Sequence, residues 1–148
     1  MSAAAPVAHA SFREELPSEL PPTLRALTLD LARHLERHGG GLAVGVAHLP
    51  GGLGRGLAAW RGHDRAIIVA TGLPAAELAE VFAHEAAHVL DTLDRRVTWS
   101  DSARNRRRRE DFANRLGSEL LENRPTTVAA ARPFMAAARR TTPTPPTP

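Results

Sequence analysis

Residues 66–93 read AIIVATGLPAAELAEVFAHEAAHVLDTL, and this passage decides the fold. Its opening, Ala66-Ile-Ile-Val-Ala70, carries the strongest strand signal in the chain: β-branched, apolar and bounded by turn residues. Thr71 or Gly72, with Pro74, then opens a helix. At 100° per residue, Leu78, Phe82, Val89 and Leu93 fall on one apolar stripe, so the helix runs to about Asp91 or Leu93.

Upstream of the strand the segments are shorter. Leu42-Ala-Val-Gly-Val-Ala47 reads as a strand, Pro50-Gly-Gly-Leu-Gly54 as a turn, and Leu57-Ala-Ala-Trp60 as a weaker strand. Arg61-Gly-His-Asp64 is a second turn. Three short strands joined by short turns predict a small, mainly antiparallel three-stranded sheet. Before them, Leu24, Leu27, Leu31 and Leu35 recur at helical spacing, with Thr23 as cap and His38 and Gly39 to Gly41 as the stop. Downstream, Ser100, Asp101 or Ser102 caps a helix that ends near Asn123. Thr126 or Thr127 begins a shorter one to about Arg140, interrupted by Pro133. The order α-β-β-β-α-α-α predicts an α+β domain, the sheet packed on helices, over residues 21–140. Residues 1–20 read as a loose leader and 141–148, TTPTPPTP, as an extended, disordered tail.

Composition narrows the functions. At 148 residues, 43% hydrophobic and 24% charged, the chain has the length and balance of one globular domain. It has no apolar run of about 18 residues for a membrane span, and no basic start followed by an apolar stretch for secretion; the expectation is a cytoplasmic protein. The absence of cysteine excludes disulfides, thiolate ligands and a cysteine nucleophile. Any metal must be held by His, Asp or Glu. All 19 basic residues are Arg, yet the net charge is only +3. With four Phe, two Trp and no Tyr for base stacking, nucleic-acid binding is not indicated.

The chemistry concentrates at His84-Glu-Ala-Ala-His88, the pattern H-E-x-x-H. The i,i+4 spacing puts two imidazoles on one helix face, one turn apart, so that they can grip a single zinc ion. Glu85 is placed to take a proton from a water at that ion. Ala83, Ala86 and Ala87 leave room around it. Two plain histidines on a helix flank are the blander reading, which the central Glu and the flanking alanines argue against.

A third ligand completes the usual catalytic set. Asp94, six residues after His88, sits where metzincins place theirs, but Asp91 stands where that turn needs glycine. Glu110 lies 22 residues after His88 on the next helix, as in gluzincins. It projects about 70° from the centre of that helix's apolar side, whereas Asp111 points away. Glu110 is therefore favoured, with Asp94 as the alternative. Asn114, one turn on, and Asp91, which shares the histidines' face, are candidates to orient a ligand from behind. No tyrosine is present to stabilise an oxyanion, so His48, His63 or an Arg would have to serve. Arg106 to Arg109 read first as a solvated helix face.

The strand at 66–70, His84-Glu-Ala-Ala-His88 and Glu110-Asp-Phe-Ala-Asn114-Arg-Leu-Gly-Ser-Glu-Leu-Leu121 together resemble the ImmA/IrrE family of metallopeptidases over residues 42–121. Where that family's second signature continues with an aromatic and an alanine, this chain has Leu116 and Gly117. The resemblance implies a gluzincin-like, zincin-type fold, with His84, His88 and Glu110 as zinc ligands and Glu85 as base. It implies a protease cutting a protein or peptide substrate, in that family a transcriptional repressor. The competing expectations are a zinc-binding regulatory module without turnover, and a helical domain in which the motif has no role.

Overall fold

The computed structural model describes residues 16–93 and 103–141. Among them, four helices and three strands follow in the expected order: α1 (Pro22–Arg37), β1 (Leu42–Ala47), β2 (Gly56–Arg61), β3 (Asp64–Ala70), α2 (Ala75–Asp91), α3 (Ala103–Asn123) and α4 (Val128–Thr141). A short 3-10 turn, Gly51–Leu53, lies between β1 and β2. Asp94, the candidate caps at 100–102, most of the leader and the tail beyond Thr141 fall outside the described residues.

The fold is α+β, but its sheet is mixed rather than mainly antiparallel. The strand order is β1-β3-β2, with β2 antiparallel and β1 parallel to β3. The sequence-based expectation assumed that each short turn makes a hairpin, which holds only for β2–β3. The β1–β2 connection instead crosses one end of the sheet, where Ala70 N–H donates to the Arg55 carbonyl and Thr71 N–H to that of Ala47. This leaves the central slot for β3. The most apolar strand occupies it because pairing on both edges removes the most backbone from water; Ile67 and Val69 are fully buried.

Alternation along the strands directs Leu42, Val44, Arg65, Ile67 and Val69 towards the helices. The register sets Gly56, Ala58 and Trp60 of β2 opposite Val69, Ile67 and Arg65, and so on that same face. Helix α2 lies under β2 and β3, and α3 packs along α2. The common core includes Leu27, Leu31, Phe82, Leu90 and Leu116.

The ends of elements correct several local expectations. Helix α1 starts at Pro22, whose fixed φ and missing N–H suit a first helical position, and Thr23 is not its cap. Leu16 and Leu20, assigned to the leader by sequence, are buried in the core, and Arg25 donates to the Pro17 carbonyl at 2.7 Å. The packed part therefore begins no later than Leu16. Helix α4 runs through Pro133. The one hydrogen bond that proline removes is outweighed by the burial of Val128, Ala131, Met135 and Ala138 on a continuous stripe. No helix among the described residues is long and apolar enough to cross a membrane.

A buried cation locks the end of α2. Arg65, 3% exposed, donates from Nε to Thr92 Oγ1 at 2.9 Å and from Nη2 to the Thr92 carbonyl at 2.7 Å. Its Nη1 reaches the Gly62 and Asp64 carbonyls. A guanidinium there satisfies a carbonyl left over at the helix terminus and complements the negative end of the helix dipole.

Candidate metal centre

Small residues bring the pieces of the site together. Ala83, Ala86 and Ala87 of α2 are buried, which lets neighbouring elements approach the helix backbone. On one side stands Gly117 of α3, where an added Cβ would lie 3.3 Å from both Cα and N of His84. Glu110 precedes Gly117 by seven residues, about two turns, and so returns to the same face of α3. The close crossing at Gly117 carries the Glu110 carboxylate to the two imidazoles.

The geometry is convergent. His84 Nε2 lies 3.1 Å from Glu110 Oε1, His88 Nε2 lies 2.7 Å from Glu110 Oε2, and the two Nε2 atoms are 3.2 Å apart. The rings meet edge to face, with centroids 4.8 Å apart. His84, Glu85 and His88 also form a group whose possible ligand atoms all lie within 4.8 Å of one another. Of the carboxylates, Glu110 makes the tighter approach to both imidazoles.

Exposure differs across the group. The His88 side chain is 9% exposed and that of Glu110 56%, so the group is buried behind and open towards α3. Burial lowers the His88 pKa, with the charges of His84 and Arg109 acting in the same direction and that of Glu110 opposing. His88 is thereby kept neutral, the state in which Nε2 has a lone pair to give. Glu85 shows the opposite sign: burial, then repulsion from Glu110, pushes its carboxyl from 4.5 up to about 7. A carboxylate poised near neutrality is suited to accept and return a proton.

Glu85 is held by the edge strand. An added Cβ at Gly56 would lie 2.6 Å from Val81 Cγ1, 3.0 Å from Glu85 Oε2 and 3.1 Å from Glu85 Cγ, so only glycine lets β2 rest on the Glu85 side chain. Just before the strand, Arg55 pairs with Glu77 in the first turn of α2.

The donor set fits a zinc ion. Tetrahedral zinc with bonds of about 2.0–2.1 Å places its ligands about 3.3 Å apart. The observed 2.7–3.2 Å needs an opening of only a few tenths of an ångström. Two imidazoles and one carboxylate are also the donors zinc takes when one position stays open.

The remaining sequence candidates lie elsewhere. Asp91 turns to α4, where its Oδ1 is 3.4 Å from Arg139 Nη2. The side chain of Asn114 is exposed and bonded to neither imidazole. His48 is near Thr71 at one end of the sheet and His63 is exposed in the hairpin turn, so neither joins the group. Sequence reasoning missed Gly56, Gly117 and a further pair, Arg109 over the Trp60 ring at 5.0 Å. The Gly56-x-Ala58-x-Trp60 alternation and the seven-residue interval from Glu110 to Gly117 were the available signals.

Comparisons with protein-family models, with curated proteins and with solved structures found no match for this chain.

Proposed function

We propose that this chain is a zinc-dependent metalloendopeptidase of zincin-like architecture, with His84, His88 and Glu110 as ligands and Glu85 as general base. The observation that carries the reading is the meeting of both Nε2 atoms with the Glu110 carboxylate, beside a buried Glu85 whose pKa is raised to about 7. Zinc bound there would supply Lewis-acid polarisation of a peptide carbonyl and a more acidic water. Glu85 holds the attacking water, takes its proton and passes it to the leaving amine. Burial keeps Glu85 from being solvated as a permanent anion, so both steps lie near its own pKa. Neutral His88 and the open Glu110 side divide the work of holding the metal and admitting substrate. The substrate is a protein or peptide, in keeping with the resemblance to repressor-cutting peptidases.

The test combines metal analysis with Glu85→Gln. The wild type should hold about one zinc per chain and cleave a peptide library or candidate repressor proteins, with fragments read by mass spectrometry. Glu85→Gln should keep the zinc and lose on the order of a hundredfold to ten-thousandfold in rate. Zinc binding without cleavage by either protein would assign the chain to the non-catalytic zinc module. A wild type that takes up no zinc at neutral pH would overturn both.

A further inference from the structure

The net charge of the chain sits in one place. Residues 94–111 hold seven Arg against four acids, whereas the rest of the chain is balanced at twelve and twelve, so this stretch carries the whole +3. Its first half contributes nothing: between 94 and 102, Asp94 and Asp101 are matched by Arg95 and Arg96. The excess belongs to the start of α3, where five Arg lie between 104 and 109 and no acid precedes Glu110. Of these, Arg109 is turned inwards over Trp60. Arg106, Arg107 and Arg108 are exposed and form no ion pair among the described residues.

Helix stability does not account for this run. The first turns of a helix favour acids, because the dipole is positive there, and like charges one turn apart repel. Helix α3 has no acid in its first turn. The acids that follow bring no relief: Glu110 is drawn to the two imidazoles, and Asp111 forms no ion pair with the three arginines. At 100° per residue the three side chains fan over the outward half of the helix, Arg107 opposite the apolar side and Arg106 on the side of Glu110. They make a cationic surface that ends beside the candidate metal centre.

Such a surface fits an anionic chain, and the neighbourhood decides which kind. Nucleic acid is disfavoured, because none of the described aromatic rings is exposed for base stacking: Phe82 and Phe112 are buried, Phe134 packs on the core, and Trp60 carries Arg109. An acidic protein segment needs no rings, and its carboxylates match guanidinium forks one by one along the chain. We propose that Arg106, Arg107 and Arg108 form a docking surface for an acidic segment of a protein partner, held outside the bond that is cut. The partner's fate as a substrate rests on the peptidase reading, but binding tests the surface independently of turnover.

The experiment uses the full chain as Glu85→Gln, so that nothing bound is cut. Fluorescence anisotropy compares a labelled dodecapeptide of alternating Glu and Ser with its twin of Gln and Ser. At low salt the acidic peptide should bind about tenfold tighter or more, which three exposed charge pairs supply together, and added salt should erode the preference. Changing Arg106, Arg107 and Arg108 together to Gln should bring the twins within about twofold. Changing Arg37, Arg124 and Arg140, exposed arginines elsewhere, alters net charge equally and should leave the preference within about twofold of its starting value. Stripping zinc with a chelator should also leave it. Equal binding of the twins, equal losses in the two triple variants, or a preference that vanishes with the metal would overturn the surface. A lower melting temperature for the Arg106, Arg107 and Arg108 variant would overturn it too, by assigning the arginines to the fold, since removing charges that oppose the dipole should cost no stability. So would a single-stranded oligonucleotide of equal charge that binds these arginines more tightly than the acidic peptide. Absence of cleavage by the wild type would instead count against the peptidase reading alone.

Discussion

Helix α2 is approached on two sides through glycine, and the two approaches differ in what they touch. At Gly117 the neighbour is main chain, Cα and N of His84; at Gly56 it is side chain, Val81 and Glu85. The first contact fixes how far apart two helices stand, and hence whether Glu110 reaches the imidazoles. The second fixes where the Glu85 carboxylate rests. On the proposed function, one helix presents a metal-holding side towards α3 and a proton-handling side towards β2, and changes on the two sides should be separable in the laboratory.

The largest effect is expected on the α3 side. Glu110→Ala removes one of the three proposed ligands and should weaken zinc binding by more than a hundredfold, since even loss of a supporting group behind a ligand costs about 10–100-fold. Asp111→Ala, one residue round the same helix, should leave it within about threefold. Competition with a fluorescent chelator reads both. If Asp94→Ala is the damaging change instead, α3 is not the metal-holding side.

Valine at the two glycines comes next. Gly117→Val meets backbone that can give only by moving a helix, so zinc affinity should fall on the order of tenfold or more, with peptide hydrolysis falling alongside. Gly56→Val presses on Val81 and Glu85, so hydrolysis should drop about tenfold or more while zinc affinity holds. Identical profiles for the two variants would remove the distinction.

The smallest effect is a stability change with pH. Glu85 has a pKa of about 7 in the folded chain against 4.5 unfolded, so between those values the folded state binds more protons. Stability of the metal-stripped protein contributed by this group is therefore full below about pH 4.5 and is lost as pH rises to 7, by about 3 kcal/mol at most. His88, with its pKa lowered, acts in the other direction, losing stability as pH falls through its unfolded value near 6.5. Comparison with Glu85→Gln isolates the first effect. In urea unfolding without metal, the variant should be the more stable protein at pH 7.5 and match the wild type at pH 4.5. A difference that does not depend on pH would mean that Glu85 is not held unfavourably ionised on the β2 side.

The sequence made the local geometry readable and left most of the tertiary geometry hidden. Two histidines at i,i+4 share a face by helical angles alone; Glu110 was favoured over Asp94 on its 22-residue spacing from His88, and over Asp111 on its angle around the next helix. The parallel pairing of β1 could not be read in the same way, because the loop at 48–55 has the composition of a hairpin turn yet spans a strand. Asp91 shares a face with His88 but is drawn to Arg139, 48 residues downstream. Such a pairing depends on how α4 returns across the core. The spacings of Gly56 and Gly117 place each on a face, but which neighbour occupies the space of the missing side chain depends on the tertiary packing.

The clasp between Arg65 and Thr92 has a consequence for motion. Helix ends ordinarily fray one turn at a time, as the lowest-energy openings in a folded chain. Here the Thr92 carbonyl and hydroxyl are both engaged by a buried guanidinium that also holds Gly62 and Asp64 of the hairpin turn. The last turn of α2, four residues beyond His88, cannot open without releasing that turn. Amide hydrogens at the end of α2 and at the start of β3 should therefore exchange together, as one cooperative unit, and slowly for residues so close to element ends.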